Sequence, residues 1–453
     1  MTLNEAKKII FEAKPEFAKL YKEYGDKAWI EYAKENYLRR SDCPKTERQT
    51  EFLTAFENVV SPLLGKEKTN RAIQTLKENS LVSSADHHGV LCHPFFSNAS
   101  LIRSHPKVMS SESSVISLTC GCISLTNSSY PRGIFFHDLD LKEVRMPFAT
   151  LRGRRRSLYG LQSISKTNIQ KQIEKLHHIN ISEKSKTKLK NFLSEIIQNQ
   201  KVFEQKYFSG QLTIINDILW SELFDETRGN LVYLEIETLV RELILNNHLD
   251  TETTIHKIIF DEETRNKYLE NFEGVVGAHN NDKKGSHIFW YIDEVENTRK
   301  QLFINKNNLE TVDKKISISL SPDSIRKNLI EYRLLPSMAF CYSLISFYYG
   351  ITLGGGFSQI QYLGDMKEAF KKTIGEDIMD TKTNIFTGEQ VLITIGNNGD
   401  KIPASLIDIL LYDIEDLGRK IDEEIENIKI SDTLDMMMPE FIEIVTGKRE
   451  KID

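Results

Sequence analysis

The densest group of reactive side chains in the sequence lies in one short stretch and comprises a carboxylate, three imidazoles and a thiol: Asp86, His87, His88, His93 and Cys92. Gly89 lies inside this stretch and Pro94 closes it, and because both residue types interrupt regular structure, the sequence predicts a loop. Imidazole titrates near neutral pH, so the three histidines are candidate catalytic acids or bases and candidate donors to an anion.

Three interpretations of this His-rich turn are open. In the first, the turn is an anion or nucleotide site in which the three histidines are catalytic and Asp86, Gly89 and Asn98 contact substrate, with glycine allowing close approach to the backbone. In the second, Asp86, His87, His88 and His93 bind zinc or iron. In the third, the histidines bond to backbone groups at strand ends. Cys92 is either a thiolate activated by imidazole or an inert buried thiol.

A second polar cluster follows a glycine run and consists of Gly354, Gly355, Gly356, Gln359 and Tyr362. It lacks the Lys and Ser/Thr of a phosphate-binding loop. The sequence therefore leaves two interpretations, a wall of the ligand site and a tight connection into a helix.

Together the two clusters resemble the bacillithiol synthase family, the putative cysteine-adding enzymes. The run from His87 to Pro94 is similar to that family's Gln-Gln, Gly-Leu, Gly-Pro-Leu-Tyr run. Leu334-Leu335-Pro336-Ser337, with the glycine run through Tyr362, is similar to its Leu-Leu-Pro-Thr and Gly-Gly-Pro-x-Glu-x-x-Tyr segments. The resemblance covers roughly residues 80 to 370. The chain departs from the family where the paired glutamines are histidines, the Gly before Pro94 is His93, the Glu is Gln359 and the Pro is Phe357.

The resemblance implies an enzyme of ligase or transferase type that joins an amino acid, cysteine included, or a similar nucleophile to a small-molecule substrate. It leaves the cofactor open, with a nucleotide as the candidate, and the departures imply a changed substrate or reaction. Two other functions remain open. One is a metal-dependent oxygenase or hydrolase using Asp86, His87, His88 and His93, and the other is a non-catalytic scaffold.

Four further features have structural and functional interpretations. Cys120-Gly-Cys122 lacks the two-residue spacer usual for zinc or redox pairs. Arg152-Gly153-Arg154-Arg155-Arg156 could bind an oxyanion or form a solvated loop. His279 and His287 are lone histidines, for which a hydrogen-bonded structural role is favoured.

The composition excludes several classes of protein. The 453 residues include 59 Lys+Arg and 65 Asp+Glu, giving a net charge of −6 and a pI near 6.1, so no global field attracts nucleic acid or an anionic membrane. The longest apolar run, residues 338 to 351, is short for a bilayer crossing, and the N-terminus lacks the pattern of a secretory signal. Five cysteines form an odd, sparse set that fits reduced thiols. We therefore expect a cytoplasmic protein.

Apolar periodicity predicts an α/β fold with a Rossmann-like parallel sheet as its core. Five segments follow from it: N-terminal helices over 1–78, the first part of the core over 79–163, a helical connective segment over 164–212, the remainder of the core over 213–400, and a helical or coiled-coil segment over 401–453. An apolar stripe from Leu406 to Ile430 predicts one long helix. It should pack on a helix near 169–205 or across the two-fold axis of a homodimer.

Overall fold

The computed structural model describes residues 1–38, 47–91, 93–149, 156–224, 228–278, 285–395, 400–412 and 417–452. The chain has a mixed α/β fold. At its centre lies a parallel sheet of four short strands: β1 (Leu81–Ser83), β2 (Ser114–Thr119), β5 (Asn230–Glu235) and β12 (Thr352–Gly354). Their order is β12-β1-β2-β5. Val82 pairs with Leu353, and Leu118 pairs with Leu234. These strands are almost entirely buried, as expected for a parallel sheet covered on both faces.

The other strands form four antiparallel sheets at the periphery. These strands are β3 (Gly133–His137), β4 (Glu143–Pro147), β6 (Phe289–Asp293), β7 (Thr298–Gln301), β8 (Phe303–Asn305), β9 (Asn308–Glu310), β10 (Ser317–Ser319), β11 (Leu334–Pro336), β13 (Leu392–Ile395) and β14 (Asp400–Pro403). β3 pairs with β4, β6 lies between β11 and β7, β9 lies between β10 and β8, and β13 pairs with β14.

Helices surround the sheets in three groups along the chain. The first group precedes or follows β1 and comprises α1 (Leu3–Ala13), α2 (Pro15–Tyr24), α3 (Trp29–Tyr37), α4 (Glu47–Leu64), α5 (Lys66–Glu78) and α6 (Pro94–Arg103). The second comprises α7 (Lys166–Ile173), a 3₁₀ turn (Leu176–His178), α8 (Glu183–Gln198), α9 (Gln200–Glu204), α10 (Phe208–Phe224), α11 (Ile236–Asn247), α12 (Thr254–Phe260) and α13 (Glu262–Phe272). The third comprises α14 (Pro322–Ile330), α15 (Met338–Tyr342), a π-helical stretch (Ser343–Tyr348), α16 (Gln359–Ile374), α17 (Leu406–Tyr412), α18 (Leu417–Asn427), α19 (Ile430–Met436) and α20 (Met438–Thr446).

Local sequence signals explain where several helices begin. The hydroxyl of Thr2 accepts a hydrogen bond from Glu5 N, and the Glu5 carboxylate bonds back to Thr2 N, which forms a capping box at α1. Ser321 caps α14 and Pro322 is its first residue, a combination that predicts a helix start from sequence alone. The apolar run 338 to 351 forms the buried α15 and π-helical stretch. Within the described residues, no helix combines the length and apolarity that a membrane crossing requires.

The short apolar run at residues 122 to 125 predicts a strand, and this prediction was wrong. Only an isolated bridge joins Ser124 to Ser157, because the backbone at the start of this segment bonds to a Glu side chain. Within the stripe from 406 to 430 the described residues form α17 and α18, and residues 413 to 416 lie outside the described part of the chain, so the single long helix stays a prediction. α17 packs on α8, where the Ser185 hydroxyl donates to Leu411 O at 2.9 Å. This confirms the predicted packing on the connective helix.

The two ends of the chain pack together. α1 lies against α20, Lys7 pairs with Asp435 at 2.8 Å, and Trp29 Nε1 donates to the Thr433 hydroxyl at 3.0 Å. The described apolar residues of the C-terminal stripe, including Ile425, are buried within this single chain. The stripe therefore needs no second copy to cover it, and the homodimer stays a prediction.

Candidate active site

The carboxyl ends of the four parallel strands meet at one edge of the central sheet. From β1 the chain adds β2 and then β5 on one side, and it later places β12 on the other side of β1. The strand order thus reverses between β1 and β12. Ligands of open α/β sheets bind outside the carboxyl ends of the strands at such a switch point.

The two clusters singled out in the sequence are joined at this switch point. Ser84, just after β1, donates from its backbone N to Gly354 O at 2.8 Å. Its hydroxyl accepts a hydrogen bond from Gln359 Nε2 at 2.7 Å. The His-rich turn and the glycine run, 270 residues apart along the chain, therefore form one surface.

A cleft of about 840 Å³ opens above this junction. Its volume is in the range that holds a small organic ligand. The polar groups that line it come from five segments of the chain: His87, His93, Ser129, His137, Arg145, Gln359, Tyr362, Glu440 and Arg449. Phe357 and Phe441, stacked with ring centroids 4.2 Å apart, supply an apolar wall.

His87 is half-buried at the edge of the cleft. Its Nδ1 lies 2.9 Å from Ser129 Oγ, and the Ser129 hydroxyl donates to Asn127 Oδ1 at 2.8 Å. Because that hydroxyl has given its proton to the amide oxygen, it accepts from the ring, so Nδ1 carries the proton and Nε2 is the basic nitrogen. Burial lowers the pKa of His87 to about 4.

His93 lies on the same wall, packed edge-on against Phe135 with ring centroids 5.5 Å apart. Burial, aided by the neighbouring His87, Arg145 and His137, lowers its pKa to about 3. His93 is therefore a neutral imidazole at physiological pH.

His137, the last residue of β3, is a cleft residue that the sequence reasoning missed. Its backbone N donates to Asp408 Oδ1 at 2.8 Å, and its ring Nδ1 lies 3.3 Å from Oδ2 of the same carboxylate. Asp408 is fully buried and is held by the Ser405 hydroxyl at 2.8 Å. Burial alone would lower the pKa of His137, but the hydrogen bond and charge of Asp408 outweigh it and the pKa is raised.

One signal in the sequence pointed toward this pair. Ser405-x-x-Asp408 is a capping-box pattern, and at the start of α17 Asp408 N donates to the Ser405 hydroxyl while Ser405 N donates to the Asp408 carboxylate. The partner of Asp408 is 271 residues away, however, so the pairing itself could not be found without the fold.

The remaining residues of the His-rich turn face away from the cleft. His88 is fully buried, with Nδ1 at 2.7 Å from Thr119 Oγ1 and Nε2 at 3.0 Å from Ser209 O, and its ring stacks on Tyr233. Asp86 is also fully buried, and burial raises its pKa well above the usual value. Successive residues of an extended segment point to opposite sides, which explains why His87 reaches the cleft and its neighbours do not. The structure therefore does not bring His88 or Asp86 to the cleft, and their predicted catalytic and substrate-binding roles gain no support from this geometry.

Four other residues predicted to contact substrate make packing or hydrogen-bonding contacts within the fold. Asn98 is buried in α6, where its Nδ2 donates to Pro94 O at 2.8 Å. A Cβ on Gly89 would lie 3.0 Å from Pro131 Cα, and one on Gly354 would lie 2.3 Å from Thr387 Cγ2, so both glycines allow close packing. Gly355 continues the strand pairing through Ile385 and Phe386. Gly356, Gln359 and Tyr362 do line the cleft, as predicted.

Several candidates of the sequence analysis lie outside the described residues, namely Cys92, His279, Arg152, Arg154 and Arg155. Arg156 is described and buried, and its guanidinium donates to the carbonyl oxygens of Tyr159 and Gly160 at 3.0 and 2.8 Å. His287 accepts from Ile304 N at 3.0 Å, which confirms its hydrogen-bonded structural role.

Metal-ligand geometry occurs at a different place from the one expected. In the part of the chain that the structure describes, the one group of three suitable side chains is Cys120, Cys122 and Glu237, whose ligand atoms lie within 4.8 Å of one another. The predicted set of Asp86, His87, His88 and His93 does not form such a group, because the side chains of His87 and His88 point to opposite sides of the backbone.

Comparison with known proteins adds no relative to this picture. No protein-family model matches the chain, and no match is found among curated proteins.

Proposed function

We propose that the chain is an enzyme of ligase or transferase type, similar to bacillithiol synthase, that joins an amino acid or a similar nucleophile to a small-molecule substrate in the cleft. The observation that carries this proposal is that His87, His93 and His137 converge on one cleft with pKa values shifted in opposite directions. Titratable groups whose environments separate their pKa values are suited to opposite roles in proton transfer.

The direction of each pKa shift assigns each histidine a role in proton transfer. His87 and His93 are neutral near pH 7 and can take the proton that the attacking amine or thiol releases. His137 holds its proton more tightly and is positioned by Asp408, so it can give that proton to the departing oxygen. The new bond joins the nitrogen or sulfur of the nucleophile to a carbon of the substrate. The bond from that carbon to its hydroxyl oxygen breaks, and the oxygen leaves as water with the proton from His137.

The other cleft residues fit the binding of a polar substrate. Gln359 orients a ligand without transferring a proton, since its amide does not titrate near neutral pH. Arg145 and Arg449 at the rim supply donors for a carboxylate or phosphate. Open α/β sheets bind their ligands at this edge, so a nucleotide is the cofactor candidate of this proposal, and ATP is the nucleotide to test first. The thiols of Cys120, Cys122 and Cys341 are unbridged, which supports a cytoplasmic location.

The test is a condensation assay read by mass spectrometry. The protein, purified without a His tag, is incubated with ATP and with amino acids paired with hydroxylated acids and sugars. We expect a product whose mass equals that of the two reactants less one water. His137→Gln should abolish it, and His177→Gln, which changes an exposed histidine of the 3₁₀ turn, should not. Product formation that survives His137→Gln, or no product from any pair, would contradict the proposal.

A further inference from the structure

A second group of reactive side chains lies at the same edge of the sheet, beneath the cleft. Cys120 and Cys122 directly follow β2, Glu235 is the last residue of the neighbouring strand β5, and Glu237 lies in the first turn of α11. All four side chains are buried. The proposed function assigns none of them a role.

The turn at Gly121 is built around the Glu237 carboxylate. Gly121 N donates to one of its oxygens at 2.8 Å, and Cys122 N donates to the other at 2.9 Å. These bonds fix the carboxylate beside both thiols, so that the two Sγ atoms and a carboxylate oxygen lie within 4.8 Å of one another. Such orientation of a ligand by backbone donors is typical of built metal sites.

Glu235 provides an independent sign that a ligand belongs here. Its residue exposure is 1%, and among the described residues its Oε1 has no hydrogen-bond partner, whereas Oε2 accepts from the Thr238 hydroxyl at 2.5 Å. A Cβ on Gly121 would lie 2.0 Å from this Oε1, which places the oxygen directly against the turn that carries both thiols. A buried carboxylate oxygen without a partner is costly unless a cation or donor satisfies it.

We propose that Cys120, Cys122, Glu237 and Glu235 form a zinc site. Cys120, Cys122 and Glu237 already have ligand spacing, and Glu235 against the same turn is the fourth ligand that we assign. Two thiolates and two carboxylates suit Zn²⁺, which accepts sulfur at about 2.3 Å and oxygen at about 2.0–2.2 Å. The dication balances acidic groups that are otherwise buried together. Because all four ligands come from the protein, the site is structural and ties the carboxyl ends of β2 and β5 together.

The site also touches the cleft through two tyrosines. Tyr342 OH lies 3.0 Å from Cys120 Sγ, and its ring is stacked with that of Tyr362, a cleft residue. With the thiolate bound to zinc, the Tyr342 hydroxyl donates to the sulfur. The zinc thus holds Tyr342 in place against the cleft residue Tyr362, and it does not contact the substrate.

Metal analysis of the full chain, expressed with added Zn²⁺ and purified without a His tag, tests the proposal. We expect one tightly held zinc per chain after desalting, and none in the Cys120→Ser/Cys122→Ser double variant. Cys341→Ser is the matched control, since Cys341 is also a buried cysteine but lies outside the ligand set, and it should retain the metal. Glu235→Gln should weaken zinc retention at least tenfold in competition with a chelator.

A second measurement does not depend on the folding of any variant. Wild-type protein stripped of metal and titrated with Co²⁺ should show thiolate-to-cobalt charge-transfer absorption and the intense visible bands of a tetrahedral site, saturating at one equivalent. Failure of the wild type to retain zinc or to bind cobalt would overturn the proposal. So would a Cys120–Cys122 disulfide in the isolated protein, or equal loss of zinc in Cys341→Ser.

Discussion

Neighbouring residues at the end of β1 meet very different surroundings. His87 faces the cleft and the Ser129 hydroxyl, whereas the His88 ring is enclosed between Thr119, Ser209 and Tyr233. The side of the backbone on which each ring lies decides whether it can meet a ligand or only support the fold. Residue type alone does not distinguish the two.

His88→Ala should therefore act on stability. It removes a buried ring and leaves the Ser209 carbonyl without one of its donors, so we expect the free energy of unfolding to fall by about 2–4 kcal/mol. Urea unfolding followed by circular dichroism measures the change. His177→Ala, at an exposed site, is the control and should be neutral. An unchanged midpoint in His88→Ala would show that the ring has no structural role.

Glu389 is a buried carboxyl beside the cleft residue Gly388. Among the described residues neither of its oxygens has a hydrogen-bond partner, and burial raises its pKa to about 8. The folded state thus holds a proton that the unfolded state releases near pH 4.5. Wild-type stability is therefore lost as pH rises from that value toward 8, by about 1.4 kcal/mol per pH unit from this group.

Glu389→Gln removes this dependence because the amide stays neutral. The variant should be more stable than the wild type at pH 8, and the gain should shrink toward zero near pH 5. Thermal or urea unfolding at the two pH values measures it. A stability difference that is the same at both would mean that Glu389 is already ionised in the folded protein.

The strand β12 holds the glycine run against β1 by close packing. Gly354 faces the Thr387 side chain at a distance that leaves no room for a Cβ, whereas a Cβ on Gly356 would make an ordinary 3.4 Å contact with Ala85. The Thr387 hydroxyl also accepts a hydrogen bond from Ser83, so this packing joins three segments.

Gly354→Ala should lower stability by about 1–3 kcal/mol, because the added methyl group overlaps the Thr387 methyl group. Adding Thr387→Ser removes that methyl group and keeps the hydroxyl, so the double variant should recover much of the loss. Gly356→Ala is the matched control and should be close to neutral. Chemical unfolding of the wild type, Gly354→Ala, Thr387→Ser and the double variant gives the coupling, and additive effects would contradict the contact.

In the whole molecule, the two ends of the chain pack against each other, and the C-terminal apolar stripe packs on other helices of the same chain. Ile425 in α18 is fully buried, and α18 packs on α3 and α10 of the same chain. Burying a charge at such a position is strongly unfavourable.

Ile425→Asp should therefore destabilise the folded chain by about 3 kcal/mol or more. Circular dichroism and light scattering after size-exclusion chromatography measure fold and mass together. If the stripe were instead the contact of a homodimer, the variant would be a stable, folded monomer with half the mass of the wild type.

The sequence predicted local structure better than it predicted the site. The short apolar runs at 115–118, 134–136 and 230–235 predict strands where β2, β3 and β5 form, and Ser321-Pro322 predicts the start of α14. These features depend on neighbouring residues. The His137–Asp408 pair and the Cys120, Cys122 and Glu237 group depend on contacts between distant segments. No local pattern specifies such contacts, and the orientation of His88 was missed for the same reason.

If one cleft holds imidazoles with separated pKa values, an NMR titration of protein carrying ¹³C-labelled histidine will resolve them, with His87, His93 and His137 assigned by single His→Gln variants. We expect His137 to titrate above the ordinary histidine pKa of about 6.5 and to lose this shift in Asp408→Asn, and His87 and His93 to remain neutral down to about pH 5. Three histidines that titrate together near pH 6.5 would contradict the account.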